Sequence, residues 1–247
     1  MTNGDLYNLV LYIGNKENFG GYLNADQFQA QLRIANVVLL KELLGITNDY
    51  NFGAPVSRRQ KGQNTILDDA TNVFKKKTAK SFSSGVTTLP TDYFKYDILR
   101  MTTTGKKIDI LSSPEVAQRM SSQIDYPTTD FPIAEIVAKS LYVYPTTITT
   151  ADLIYYRYPT DPIFDYYVDA SGELIYLVNG LTHVLTAGEV DSAGQTSGST
   201  FTSTSVELEW GDSEKIDVAW ILIRNMGINL SRQDITQYAN KIEIQGQ

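Results

Sequence analysis

The 247-residue chain contains one histidine, His183, that could act as a general acid or base, and it contains no cysteine. A serine or cysteine hydrolase needs a base beside its nucleophile, so this composition excludes most such arrangements. His183 lies in the apolar stretch 181–185, a setting typical of an ordinary strand residue. We therefore predict no catalytic residue and expect that the protein is not an enzyme.

The acidic residues follow no metal or cofactor motif. Asp68-Asp69 is a bare doublet without the spacing of a calcium loop, and no glycine-rich phosphate cradle is present. We expect no metal and no cofactor. Glu173, Glu207 and Glu209 can still supply the two carboxylates of a glycoside hydrolase, which keeps a β-rich carbohydrate-binding or glycan-cleaving protein as the alternative.

The charge balance argues against a surface that grips nucleic acid. With 21 Lys and Arg against 28 Asp and Glu, the net charge is -7. Basic clusters occur at Arg58, Arg59 and Lys61 and at Lys75 to Lys77, without the interleaved aromatic residues of a nucleic-acid site. The 16 tyrosines are more typical of a β core or a protein interface.

Targeting and membrane signals are weak. The start, Met1 to Asp5, lacks the basic residues that open a secretory signal. The densest apolar run, Val37 to Leu44, is interrupted by Lys41 and Glu42 and is too short to cross a bilayer. We expect a soluble chain that does not contact a membrane.

Helical periodicity dominates residues 1–47. Leu6, Leu9, Val10 and Ile13 share one helix face. A second helix begins after the capping residue Asn24, follows a stripe from Phe28 to Leu43 and ends at Gly45.

The second helix is apolar on its other side as well, so it must be buried on two sides. Either a three-layer core or a neighbouring subunit can cover the second side. The latter option makes this face, together with the aromatic strand near residue 156, the candidate subunit interface. The candidates are Ile34, Val37, Val38, Leu40, Leu44, Tyr155, Tyr156 and Tyr158.

Strand patterns dominate the middle of the chain. After an extended arm at 48–88, residues 89–210 predict a β-rich, sandwich or barrel-like domain with one helix that begins near Ser112. The predicted strands are Tyr93 to Met101, Lys107 to Leu111, Ser140 to Tyr144, Leu153 to Tyr158 and Leu174 to Val178. The Gly, Ser and Thr content of 186–205 predicts a flexible loop.

Residues 211–247 return to helical spacing and predict a C-terminal helix pair. The first helix places Ile216, Ala219, Trp220 and Ile223 on one face, and the second begins at Ser231. We expect both to pack on the N-terminal helices. The fold class is therefore α+β, with a β-rich domain inserted between helices from the two ends of the chain.

A set of short stretches carries a family resemblance. They are the opening helix with Asn15-Lys16-Glu17 and Gly21, the helix from Phe28 to Leu44, Leu89-Pro90-Thr91-Asp92-Tyr93, Ile110 through Arg119 to Pro127 with Pro132-Ile133, Tyr142-Val143-Tyr144-Pro145, Tyr155-Tyr156-Arg157-Tyr158-Pro159, Glu207-Leu208-Glu209-Trp210 and the closing helix pair. In order and spacing they resemble the head-to-tail connector, or ring, proteins of crAss-like and related tailed bacteriophages. The match covers nearly the whole chain, although 186–205 is longer than the pattern needs.

The resemblance implies a virion structural protein at the head-tail junction or in the tail, assembled in the cytoplasm of a bacterial host. Such subunits form a multimeric ring, a dodecamer, that prolongs the DNA channel and docks the tail. The implied partners are other copies of the chain and the portal or neighbouring ring and tail proteins. DNA would pass without specific binding, and the basic clusters would face partner proteins. The alternative then becomes a carbohydrate-binding or glycan-cleaving tail protein.

Overall fold

A computed structural model describes residues 1–14, 24–45 and 70–229 of the chain. They form a mixed α+β protein, as the sequence predicts, with a large, nearly closed, barrel-like sheet. The chain divides into two compact units. Residues 74–158 form the sheet unit, and the described parts of 1–73 and 159–247 form the helix unit.

The N-terminal helices of the helix unit begin and end close to the predicted positions. Helix α1 spans Asn3–Gly14, and α2 spans Ala25–Leu43. The Asn24 side chain caps α2 by accepting a hydrogen bond from the Asp26 amide. Gly45 follows the helix with a φ of 62°, a left-handed conformation that glycine adopts without strain.

A further helix near the C-terminal end contacts both of these helices. Helix α4 (Asp212–Asn229) packs on α1 and α2, and Arg224 forms an ion pair with Glu42 at 3.2 Å. Ala219 and Ile223 of its predicted face are buried, whereas Ile216 is exposed and Val218 and Leu222 are buried as well. A helix packed against two neighbours buries more than one stripe. The predicted second helix of the pair, from Ser231, lies outside the described residues.

The sheet unit is built from seven strands and one helix. The strands are β1 (Lys75–Ser81), β2 (Val86–Thr88), β3 (Tyr93–Met101), β4 (Lys107–Ile110), β5 (Ile133–Val137), β6 (Ser140–Tyr144) and β7 (Thr150–Arg157). They pair in the order β1-β7-β3-β4-β5-β6-β2, antiparallel except for β4 and β5. Helix α3 (Ser113–Ser121) begins with the expected capping box, in which Ser112 and Glu115 bond each other.

Strand β7 holds the core of the sheet unit. It pairs with β1 on one side and β3 on the other, so its side chains are covered by neighbours from both directions. Leu153 and Tyr155 are completely buried and pack with Leu99 of β3 and Leu141 of β6. Strand β1 lies inside the predicted extended arm at 48–88. Its pairing partner, β7, is far away along the chain, so local sequence alone does not reveal the pairing.

The rest of the predicted β-rich domain belongs to the helix unit. Residues 159–210, here termed the acidic β module, contain β8 (Tyr166–Val168), β9 (Leu174–Tyr176), β10 (Thr182–Val184), β11 (Val190–Asp191) and β12 (Thr200–Thr202). Strands β11, β8 and β9 form one small sheet, and β10 pairs with β12. The unit boundaries at 74 and 158 therefore differ from the predicted boundaries at 89 and 210.

An aromatic core explains why the acidic β module groups with the helices. Phe164 is buried, and its ring lies 5.1 Å from that of Phe28 in α2 and 5.3 Å from that of Tyr7 in α1. On its other side Phe164 stacks on Tyr176 of β9 at 5.1 Å. Aromatic contacts across such long sequence separations leave no local sequence pattern.

The predicted flexible loop at 186–205 differs from the structure, which forms β11, β12 and hydrogen-bonded turns there. Asp191 Oδ1 accepts bonds from the amides of Ala193 and Gln195. The same arrangement closes the β8–β9 turn, where Asp169 Oδ1 accepts from the amides of Ser171 and Glu173. Turn chemistry, and not buried apolar area, therefore shapes this glycine-rich segment.

A buried polar link joins α2 to the acidic β module. The Trp210 indole donates to Asn36 Oδ1 at 2.7 Å, and the Asn36 amide group donates to the Thr160 carbonyl at 3.2 Å. Both side chains are almost completely buried. A buried donor without its acceptor is costly, so Asn36 has a structural role that a helix pattern does not reveal.

We predict that Asn36→Ala lowers the free energy of unfolding of the helix unit by about 1–3 kcal/mol, because the buried indole N–H loses its acceptor. Urea titration followed by tryptophan fluorescence measures this change. Tyr12→Ala, at a side chain that is 85% exposed in α1, is the control and should stay within about 0.5 kcal/mol of the native chain. Equal stability of the two variants would contradict the structural role of Asn36.

Candidate subunit interface

The interface candidates on α2 fall into two groups. Ile34 is exposed, and Val37, Val38 and Leu44 are half-buried, so these four keep surface that a neighbour can cover. Leu40 is completely buried and must be removed from the predicted interface. Because α4 packs on α2, the chain itself covers part of the second apolar side of this helix.

The aromatic candidates on β7 are mostly core residues. Tyr155 is completely buried, and its hydroxyl donates to Asp92 Oδ1 at 2.8 Å. Tyr156 is also buried, with the Lys75 ammonium 5.3 Å from its ring centre. Only Tyr158, beyond the end of the strand, is exposed, and its ring meets Phe94 edge to face. Tyr155 packs in the core of the sheet unit and must be removed from the predicted interface, whereas Tyr156 lies on the opposite face of β7 and keeps little exposed surface.

Three exposed apolar residues lie close together in a segment for which the sequence predicted no role. In the apolar loop, residues 122–131, Ile124 is 95% exposed, Phe131 76% and Tyr126 51%. The signal in the sequence was present, since three large apolar residues stand among Ser, Thr, Asp and Pro. Three large apolar side chains exposed in one short loop favour a surface that binds a partner.

Hydrogen bonds hold the apolar loop in shape. Ser122 Oγ accepts from the amides of Ile124 and Asp125 at 3.2 and 3.0 Å. At the other end, the Phe131 amide donates to Thr128 Oγ1 at 3.2 Å. An ion pair between Lys106 and Asp130 ties the loop to the sheet unit. A preformed loop loses less conformational entropy on binding than a disordered one.

The lysine run of β1 is matched by acidic residues of the same unit. Lys75 pairs with Asp97 at 3.5 Å, Lys76 with Asp92 at 2.8 Å and Lys77 with Asp152 at 2.9 Å. Each carboxylate reduces the positive potential that a phosphate would experience. The other predicted basic cluster, Arg58 to Lys61, lies outside the described residues.

His183 has partners that explain it structurally. It lies in β10, its Nε2 atom is 2.9 Å from Glu189 Oε2, and its ring stacks on Tyr167 with 4.0 Å between centres. Glu189 also accepts from the Thr186 amide, and these bonds hold the pKa of the Glu189 carboxyl below its usual value. The pair thus ties β10 to the turn that follows it.

Two of the carboxylates that the sequence offers for glycoside hydrolysis accept hydrogen bonds within the helix unit. Glu207 accepts from the Tyr176 hydroxyl at 2.6 Å and from the Asn3 amide at 2.7 Å. Glu209 accepts from the Thr160 amide at 3.0 Å. Glu173 is exposed next to the β8–β9 turn. The structure gives Glu207 and Glu209 hydrogen bonds within the helix unit, and the glycan-binding or glycan-cleaving alternative stays a prediction.

The described residues contain neither a cluster of metal ligands nor a helix that could cross a membrane. In residues 1–14, 24–45 and 70–229, no three His, Asp or Glu side chains cluster as metal ligands. Asp68 and Asp69 lie outside those ranges. None of the helices in the described part of the chain is long and apolar enough to cross a membrane.

Comparisons with known proteins add no family assignment. No model of a known protein family matches the sequence, and no curated protein matches it.

Asp92 gives the sheet unit a testable pH dependence. The Lys76 ammonium donates to its carboxylate and Tyr155 donates from the other side, which holds the pKa of Asp92 below its usual value. The unfolded chain then takes up a proton more readily than the folded one as the pH falls. The stabilisation is complete above about pH 5 and is lost progressively at lower pH.

We predict that Asp92→Asn lowers the melting temperature of the sheet unit at pH 7 and that this difference shrinks toward pH 3. Circular dichroism melts of both chains across this range measure it. The control is Asp125→Asn, which removes an equal charge from the exposed apolar loop and should leave the melting temperature nearly constant. A difference for Asp92→Asn that stays constant from pH 7 to pH 3 would show that the ionised carboxylate is not the cause.

Proposed function

We propose that this protein is a structural subunit of a tailed-bacteriophage virion, and that its copies close into a ring at the head-tail junction or in the tail. The ring would prolong the DNA channel and dock the portal or neighbouring ring and tail proteins. The role follows from the resemblance of its ordered sequence stretches to connector proteins. The work of such a protein is binding between subunits.

The observation that supports this proposal best is the preformed apolar loop of the sheet unit. Ile124 and Phe131 present large apolar surfaces on a hydrogen-bonded scaffold, an arrangement typical of a protein interface. The helix unit exposes apolar side chains of its own, among them Tyr12, Ile34 and Val184. A closed ring needs two different surfaces on each subunit, and the two units offer one each.

In our proposal the helix unit forms a platform, because hydrogen bonds and an ion pair join residues from both ends of the chain. The N-terminal amine pairs with Asp212 at 2.9 Å, and Lys215 donates to the Met1 carbonyl at 2.8 Å. These bonds tie α4 to the first residues of the chain. In our proposal the predicted helix from Ser231 extends the platform and completes the C-terminal helix pair that packs on the N-terminal helices.

The charges agree with DNA that passes without being held. The chain has a net charge of -7, and the lysine run of β1 is paired with Asp92, Asp97 and Asp152. Tight nonspecific binding to DNA requires cations that are free to neutralise phosphates. A virion location and assembly in a bacterial cytoplasm complete the proposal.

We predict that the full chain forms closed rings in solution, visible by negative-stain microscopy and by light scattering after size exclusion. The double variant Ile124→Ser with Phe131→Ser should raise the concentration needed for assembly at least about tenfold, because two buried apolar side chains are lost from the contact. Its circular dichroism spectrum should not change, since both side chains are exposed in the subunit.

Gln123→Ser is the matched control, since it changes a polar position of the same apolar loop and should leave assembly unaltered. Cryo-electron microscopy of the intact particle tests the location. A chain that stays monomeric at all concentrations and is absent from particles, or one that binds glycans as a monomer, would overturn the proposed function.

A further inference from the structure

We propose that Asn179 is a site of spontaneous covalent modification, at which the side-chain amide is converted into a mixture of aspartate and isoaspartate. The only co-reactant is water, and the reaction is independent of the proposed ring. The sequence contains two Asn-Gly pairs, at 3–4 and 179–180, and the structure places them in opposite environments. The first pair is enclosed and the second is exposed, so the chain carries its own comparison.

The chemistry needs only an asparagine side chain and the backbone nitrogen that follows it. This nitrogen attacks the asparagine Cγ atom, the bond from Cγ to the side-chain nitrogen breaks, and ammonia leaves with the proton of the attacking amide. Water then opens the resulting five-membered succinimide at either carbonyl, which gives aspartate or isoaspartate. Glycine favours the attack because it has no Cβ to hinder the approach and adopts the required backbone angles freely.

The pair Asn179-Gly180 occupies an open turn between β9 and β10. The Leu181 amide closes this turn by donating to the Val178 carbonyl at 3.1 Å. Asn179 is exposed, and its side chain has no hydrogen-bond partner among the described residues. A Cβ atom added to Gly180 would meet no other atom within 4 Å. The amide that reacts is therefore free to move, and water reaches it.

The pair Asn3-Gly4 is enclosed at the start of α1. Asn3 is almost completely buried, its side-chain amide donates to the Val206 carbonyl at 2.9 Å, and its Oδ1 atom accepts from the Leu208 amide at 3.4 Å. A Cβ atom on Gly4 would lie 2.7 Å from the ring of Tyr176. Attack at Asn3 therefore requires that two side-chain bonds break and that α1 opens.

One hydrogen bond slows the reaction at the exposed pair. The Gly180 amide donates to the Ser203 carbonyl at 2.9 Å, and it must leave this acceptor before its nitrogen can attack. Strands β10 and β12 are only three residues long, and short exposed elements open locally at a small cost in free energy. The expected rate is therefore lower than in a free peptide and higher than at Asn3.

Modification at Asn179 weakens the β10–β12 ribbon in three ways. The succinimide nitrogen carries no hydrogen, so the Ser203 carbonyl loses its donor. Both products add a carboxylate to the acidic β module, which already contains eight Asp and Glu and no Lys or Arg. Isoaspartate also adds a carbon to the backbone within the turn that sets the register of β10. The ribbon therefore loosens as the protein ages.

The test follows the native full-length chain during incubation at mildly alkaline pH. Mass spectrometry of chymotryptic peptides measures conversion of Asn to Asp, since residues 159–210 offer no site for trypsin, and labelling by an isoaspartyl methyltransferase detects isoaspartate. We expect Asn179 to react at least about tenfold faster than Asn3, because reaction at Asn3 requires a packed helix to open. A synthetic peptide of residues 177–182 should react faster than either site.

Asn179→Gln is the matched control, because it keeps the amide but would require a six-membered ring, which forms much more slowly. Hydrogen exchange of residues 182–202 should become faster in the aged native chain and stay constant in the aged Asn179→Gln chain. An unmodified Asn179 after the peptide has reacted completely, or equal rates at Asn179 and Asn3, would overturn the site. Unchanged exchange in a fully modified chain would overturn its effect on the ribbon.

Discussion

Carboxylates that accept hydrogen bonds from backbone amides hold the acidic β module together. Its strands are only two or three residues long, so most of its amides lie outside regular ladders. Asp169 and Asp191 accept amide hydrogen bonds at the turns of the module, and Glu207 accepts the backbone amide of Asn3 at the start of α1. The negative charge of the module is a consequence of this way of folding. The same charge then determines what the module can attract.

The sheet unit satisfies its backbone amides in a different way. Strands of up to nine residues satisfy their own amides through the ladder, and β7 is paired on both edges. Side-chain charges are then free for cross-strand pairs such as Lys77 with Asp152. Partial compensation leaves the unit positive. Long strands and short strands thus produce two units of opposite charge in one chain.

The ring that we propose needs two different contact surfaces on each subunit. In that proposal, exposed apolar residues such as Ile124 and Val184 would supply contact area between copies. The buried link from Asn36 to Trp210 holds the acidic β module against α2, within one compact unit.

Local chemistry made much of the fold predictable. Helices α1, α2 and α3 and strands β3, β4 and β6 follow from caps and side-chain periodicity, which depend only on neighbouring residues. The charge balance and the single histidine also required no structure. The start of α2 at Asn24 and the box at Ser112 show how a single capping side chain marks a helix end.

Long-range pairing decided the rest. Strand β1 depends on β7, and the aromatic contact of Phe164 with Phe28 assigns the acidic β module to the helices, neither of which has a local signal. Leu40 and Tyr155 could not be separated from the other interface candidates for the same reason, because both are apolar in sequence whether the chain or a neighbour covers them. The sequence alone determined which residues are apolar. Only the tertiary structure determined which of these residues the chain itself buries, because burial depends on the packing of residues far apart in the chain.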